Sequence, residues 1–165
     1  GKPYTGKEHV WDEGFGYFGA AAHTLSLTAD QAYGIAKRKD MASADVNGDG
    51  VVDLKSEMVF GPAYYAAAFD RSGTKSTSYL QTIMQAYFDG RQLITSAKGA
   101  VLTNAQRSSL KAHASTIESN WEQVLAEAVF KYAGSAYKDI NKMQADDADV
   151  AKAYKGYVRL SLIHI

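Results

Sequence analysis

The sequence predicts an all-α fold, an antiparallel helical bundle. Three observations lead to this prediction. Apolar residues recur at helical spacing along several long segments, Thr-x-x-Glu or Thr-x-x-Gln sequences mark three helix starts, and no segment alternates apolar and polar residues as a strand would. The length of 165 residues and the apolar share of 46% fit a single helical domain over residues 1–165 with its own core.

Three of the predicted helices begin at a capping box. In this motif a Thr side chain accepts a hydrogen bond from the N–H group three residues later, and the Glu or Gln at that position reaches back to the Thr backbone. The pairs are Thr5 with Glu8, Thr28 with Gln31, and Thr103 with Gln106. They predict a helix over about 6–23, a short helix over about 29–39, and the longest helix from residue 104 onward.

The other helices follow from apolar periodicity and charge. One apolar segment covers about 54–70 and is predicted to kink or break at Gly61-Pro62. Another helix is predicted to run to about Lys98, with Thr77 or Ser76 as its cap. Acidic residues over 146–149 favour the start of a last helix, since negative charge there complements the helix dipole.

Three glycines lie in or next to the first predicted helix. Gly14, Gly16 and Gly19 lower its intrinsic helix propensity. Because a glycine has no Cβ, their spacing predicts the close approach of a neighbouring helix.

Asp45, Asn47 and Asp49 place oxygen-bearing side chains at alternate positions, and Gly50 after them permits a sharp turn. Ca²⁺ takes about six to eight oxygen ligands, and alternate residues of a tightly wound loop point inward. The predicted ligands are Asp45, Asn47, Asp49, the Val51 carbonyl, Asp53 and Glu57. A standard loop would have its closing Glu at the position of Ser56, so either Glu57 closes the loop in a shifted geometry or the site is weaker than usual. The pattern predicts an EF-hand-like calcium loop in an inter-helix connection; the alternative is a plain Asn-Gly turn.

Composition narrows the function classes. Eighteen basic and eighteen acidic residues cancel, which argues against a nucleic-acid-binding protein. No apolar run is long enough to span a bilayer, so the chain is predicted not to be transmembrane. The absence of cysteine excludes thiol catalysis and thiolate metal sites. No hydrolase or phosphate-binding motif is present, and a non-catalytic protein is therefore favoured over an enzyme.

Two segments resemble one bacterial family. Residues 9–19, HVWDEGFGYFG, are similar to its HWDEAFGYFG signature, and residues 45–61 are similar to its D-x-N-x-DG-x-IDLKSE-x-x-FG stretch. The family is domain of unknown function 4856, whose members are longer cell-envelope proteins distantly similar to imelysin-like (M75 peptidase-like) helical proteins. The resemblance implies that this chain is a fragment of an exported periplasmic or surface protein, with a lipid anchor as one option.

The first predicted helix also offers a second candidate metal site. His9 and Glu13 are one turn apart, with Asp12 beside them, and an imidazole with carboxylates can hold iron or zinc. Imelysin-like proteins carry a G-x-H-x-x-E metal motif, whereas Gly6, His9 and Asp12 form G-x-x-H-x-x-D. The alternative is a helix-start histidine paired with a carboxylate.

These patterns leave several functional hypotheses open. The first is a non-catalytic, calcium-binding cell-envelope protein, linked to metal uptake and to an unknown envelope partner. The alternatives are an imelysin-like metal-dependent hydrolase and a purely structural calcium module.

Side chains on the longest helix bear on the second metal site. If that helix neighbours the first, His113 or Glu118 could join His9 and Glu13, while Trp121 is most simply a core anchor. The basic run over 37–39 is predicted to be a solvated face.

The last six residues, 160–165, match the translation of a transposon-end sequence used in sequencing adapters. This match predicts that the natural protein continues differently beyond residue 159. An ordinary apolar helix end is the alternative.

Overall fold

The computed structural model describes residues 4–73, 75–142, 154–156 and 158. These residues form helices and connecting turns with no β-strand, which confirms the all-α prediction. A short 3₁₀ turn covers Thr24–Ser26. The α-helices are α1 (Gly6–Phe18), α2 (Ala29–Ala36), α3 (Met41–Ala44), α4 (Gly61–Ser72), α5 (Tyr79–Ser96) and α6 (Asn104–Lys142).

The chain divides into two compact units, residues 1–121 and 122–165, and the boundary falls within α6. In the first unit, α1 packs against α4 and α5, and α2 packs against α4. In the second unit, Gly156 lies against Ala136 of α6. The single-domain and antiparallel-bundle predictions stay predictions. The helix start expected at 146–149 and the segment 160–165 lie outside the described residues.

All three predicted capping boxes are present. The Thr5 N–H donates to Glu8 Oε2 at 2.7 Å, and the Thr5 hydroxyl accepts from the Glu8 N–H at 3.3 Å. The same reciprocal pair occurs at the starts of α2 and α6. Helix starts are therefore encoded locally, because each needs only residues that are three positions apart.

The predicted helix ends were less accurate. α1 ends at Phe18 rather than near residue 23, because Gly19 adopts a left-handed conformation with φ of +78°. α2 ends at Ala36 rather than at residue 39. The basic run that follows, residues 37–39, is exposed as predicted.

The break predicted at Gly61-Pro62 is present, but the segment before it, 54–60, is not helical. α4 begins only at Gly61, with Pro62 in its first turn, where the missing N–H of proline costs nothing. Met58 and Val59 reach the core from the extended chain before the helix, since they are 5% and 1% exposed.

α5 begins with a cap that the sequence did not reveal. The predicted cap at Thr77 or Ser76 is wrong. Ser78 holds the N-cap position without a side-chain capping bond, and the Thr77 hydroxyl donates to Asp70 Oδ1 at 2.7 Å. Asp70, at the end of α4, instead accepts hydrogen bonds at 2.8 Å from the N–H groups of Tyr79 and Leu80. A charged acceptor at a helix N-terminus also complements the helix dipole. The cap is a tertiary contact across a nine-residue separation.

A glycine does permit a close helix approach, but it lies on α5. A Cβ on Gly90 would stand 2.1 Å from Cζ2 of Trp11, whereas a Cβ on Gly16 would meet nothing within 4 Å. The prediction is thus wrong for Gly16. Among the described residues, none of the helices combines the length and apolar character needed to cross a membrane.

Candidate functional site

The predicted calcium loop connects α3 to α4. Asp45 caps the C-terminal end of α3, which is a single turn of helix. Residues 54–57 form turns, and no helix directly follows Glu57. The loop therefore lies in an inter-helix connection, but the paired flanking helices of an EF-hand are not confirmed.

Side-chain oxygens of the loop turn toward its own backbone. The two carboxylate oxygens of Asp45 accept from the N–H groups of Asp49 at 3.1 Å and Gly50 at 2.9 Å. Asn47 Oδ1 accepts from the same Asp49 N–H at 2.9 Å, and Asp49 Oδ1 accepts from the Val51 N–H at 2.8 Å. Gly50 has a φ of +80°, which favours glycine. The side chains of Asp45 and Asn47 thus meet at one amide inside a tight loop.

Glu57 joins the two parts of the loop. Its Oε1 accepts from the Val46 N–H at 3.2 Å and its Oε2 from the Asp53 N–H at 2.8 Å. The residue is only 3% exposed. Of the two candidates for loop closure, Glu57 has its side chain on the loop, while Ser56 contributes its carbonyl to the Ala22 N–H at 2.7 Å.

The donor set suits a hard cation. Every predicted ligand offers oxygen, and four of the six are carboxylates. In the described part of the chain, no three Asp, Glu, His or Cys side chains are placed together as a metal-binding group. Calcium binding therefore stays a prediction: its chemistry fits, while the described carboxylates are hydrogen-bonded to loop amides.

The segment 19–23 holds both ends of this loop. The Phe60 N–H donates to the Gly19 carbonyl at 2.8 Å, beyond the end of the loop. His23 Nε2 lies 2.9 Å from the Ser43 carbonyl, before its start, and must carry the proton because a carbonyl only accepts. The buried Nδ1 of His23 has no partner among the described residues. No sequence signal indicated these bonds, since each has a backbone carbonyl as acceptor.

The residues of the second predicted metal site are used differently. Asp12 Oδ1 accepts from Arg91 Nε at 2.7 Å. The His9 ring stacks on Tyr4 with centroids 5.4 Å apart and is exposed, as is Glu13. The transition-metal site stays a prediction, without a described cluster to support it.

Glu8 is predicted from the sequence only as part of a helix cap, but its side chain also anchors α1 to α5. Its Oε1 lies 2.7 Å from Arg91 Nη1 and accepts from the Thr95 hydroxyl at 2.9 Å. The backbone N–H of Thr5, the Thr95 hydroxyl and then Arg91 hold the Glu8 pKa near 2, although burial opposes this shift. Arg91 therefore links Glu8 and Asp12 in one ion-pair cluster at the α1–α5 contact.

A cavity of about 430 Å³ lies between α1, α5 and the first half of α6. Its lining includes Trp11, Tyr87, Glu118 and Trp121. Trp121 packs edge-on against Phe18 with centroids 5.4 Å apart, but it is half-buried and is not one of the buried core residues. Val10, Trp11 and Glu118 line the same cavity, so the first and longest helices are neighbours there. Among the described residues, however, His113 and Glu118 form no metal-binding group with His9 and Glu13.

Comparison of the chain with protein-family models, with curated proteins and with solved structures finds no match. The resemblance to domain of unknown function 4856 and to imelysin-like proteins rests on the two sequence segments alone and stays a prediction. Functional inference therefore depends on the loop and on the cavity.

Proposed function

We propose that this chain is a non-catalytic, calcium-binding helical domain of a bacterial cell-envelope protein. The observation that carries the proposal is the folding of residues 45–57 around inward-turned side-chain oxygens, with buried Glu57 bridging Val46 and Asp53. A simple Asn-Gly turn would account for the glycines but not for a buried carboxylate that joins both parts of the loop.

The role of the ion in this proposal is structural. Asp45, Asp49 and Asp53 repel one another within a short loop, and a bound cation would offset that repulsion. Asp45, Asn47, Asp49, Asp53 and Glu57 would hold the ion by side-chain oxygens, and Val51 by its carbonyl. Because segment 19–23 is bonded to both ends of the loop, a fixed loop would stabilise the end of α1 and the entry to α4.

The envelope location rests on the family resemblance and on calcium availability. Extracellular modules bind calcium with dissociation constants of about 10⁻⁴–10⁻³ M, which suits a loop lacking the standard closing Glu position. The link to metal uptake and the hydrolase alternative both require a metal at His9, Asp12 and Glu13. Since Asp12 is paired with Arg91, no described contact favours them, and they stay predictions.

Calcium-dependent melting tests the proposal. The wild-type domain should be more stable in calcium than in chelator by about 2.7 kcal/mol when calcium stands at 100 times its dissociation constant. Asp45→Ala and Asp49→Ala should abolish this difference. Glu13→Ala, which removes an exposed carboxylate from α1, should retain it.

Equal wild-type melting curves in chelator and in about 10–100 mM calcium, which is 100 times the expected dissociation constant, would refute calcium binding. Elemental analysis of the purified protein would report calcium and any transition metal in the same sample. Iron or zinc lost on His9→Ala, with calcium retained, would instead support the second site.

A further inference from the structure

The cavity between α1, α5 and α6 has aromatic walls, and the polar groups of Trp11 and Tyr87 in these walls are already bonded to protein. The Trp11 indole N–H donates to the Tyr87 carbonyl at 2.8 Å. The Tyr87 hydroxyl donates to the Gly14 carbonyl at 3.0 Å, and burial raises the pKa of Tyr87 to about 12, so the ring stays neutral. Trp11 and Tyr87 therefore offer a ligand apolar and π surface rather than hydrogen bonds, and Trp121 adds a third aromatic ring to the lining.

Glu118 is the charged residue of this lining, and it is exposed. No hydrogen bond or ion pair to it occurs within the described residues. The basic side chains Arg107 and Lys111 line an adjoining groove, which shares Trp11 and Ala114 with the cavity. The cavity lining itself therefore combines three large aromatic side chains with one negative charge that forms no ion pair among the described residues.

We propose that this cavity binds a small organic cation with an apolar body, of the substituted-ammonium class. A cation over the faces of Trp and Tyr is attracted by the ring quadrupoles, and the Glu118 carboxylate supplies the opposite charge. An organic anion would meet repulsion from Glu118, and a neutral ligand would gain neither contribution. The volume of about 430 Å³ falls within the range of small-molecule sites. The inference is independent of calcium binding.

Titration with matched probes tests the inference. Benzyltrimethylammonium is compared with neutral 3-phenyl-1-propanol and anionic 3-phenylpropanoate, using calorimetry and the fluorescence of the two tryptophans, Trp11 and Trp121. The cation should bind at least fivefold more tightly than the alcohol, and more tightly still than the anion. Added salt should weaken binding of the cation but not of the alcohol.

A charge-removing variant distinguishes the electrostatic contribution of the Glu118 carboxylate from nonspecific apolar binding. Glu118→Gln should weaken cation binding about fivefold, the size expected for one partly exposed charge pair, and leave alcohol binding unchanged. Glu13→Gln, an exposed acid of α1 outside the lining, should change neither. Both sites are exposed, so neither variant removes core packing.

Three results would overturn the inference: equal affinity of the wild type for the cation and the alcohol, preference for the anion, or equal effects of Glu118→Gln and Glu13→Gln. Absence of cation binding would overturn it as well. Because the titration is run both in chelator and in calcium, failure here is distinguishable from failure of the calcium proposal.

Discussion

The contact between Trp11 and Gly90 joins α1 to α5 and gives the most severe test of the packing. The indole is fixed by its N–H bond to the Tyr87 carbonyl at 2.8 Å and by edge-on packing against the Tyr87 ring. A Cβ on Gly90 would lie 2.1 Å from Cζ2, 2.7 Å from Cη2 and 2.8 Å from Cε2 of Trp11. All three atoms belong to a rigid ring, so relief requires the whole indole or the helix to move.

Two opposing contributions set the magnitude for Gly90→Ala. Replacing a mid-helix glycine by alanine gains about 1 kcal/mol of helix stability. Overpacking at such a short distance costs about 3 kcal/mol, the upper part of the usual range. The expected net loss is therefore about 2 kcal/mol in the free energy of unfolding.

Gly16→Ala is the matched control, because a Cβ there meets nothing within 4 Å and the residue is also helical. It should stabilise the protein by up to about 1 kcal/mol, so the two variants should differ by about 3 kcal/mol. Urea unfolding followed by far-ultraviolet circular dichroism measures both variants. In a Trp11→Leu background the cost of Gly90→Ala should shrink, as a double-mutant cycle would show.

Stability of Gly90→Ala equal to that of Gly16→Ala would refute this account of the α1–α5 contact. A loss that persists undiminished in the Trp11→Leu background would show that the clash involves something other than the indole.

Two further predictions concern carboxylates that accept hydrogen bonds at helix starts. Asp70→Ala should lower the free energy of unfolding by about 2 kcal/mol, because the N–H groups of Tyr79 and Leu80 lose a charged acceptor. Asp70→Asn should lower it by less. Equal urea midpoints for the wild type and Asp70→Ala would contradict the capping role of Asp70. The Glu8 pKa is near 2 in the folded protein against an ordinary 4.5, so its stabilising contribution is present above about pH 4.5 and is lost as pH falls toward 2. Urea unfolding across that range should show a shallower pH dependence for Glu8→Gln than for wild type, with Glu13→Gln behaving as wild type.

Helix starts were the part of the fold most accessible to sequence reasoning. The capping boxes at Thr5, Thr28 and Thr103 all formed as predicted, because their partners are three residues away. The cap of α5 was missed, since Asp70 reaches it from another helix.

The candidate loop was equally readable as a chemical pattern. The alternating oxygens and glycines of residues 45–53 are visible in the sequence, and in the structure the side chains of Asp45 and Asn47 both accept hydrogen bonds from the Asp49 N–H. Its attachment to Gly19 and His23 was not visible, because the bonds use backbone carbonyls that every residue type shares.

The sequence by itself determined the helical class, three helix starts and the position of an oxygen-rich loop, since these depend on neighbours within a few residues. Tertiary structure alone decided that the Trp11 ring packs against Gly90 and that Arg91 pairs with both Glu8 and Asp12. It also decided that Glu118 lines an aromatic cavity. The contacts of Trp11 and Arg91 join residues that are about 80 positions apart along the chain. The cavity brings residues of α6 next to residues of α1 and α5. No local preference specifies them; they form because these helices bury their apolar faces against one another.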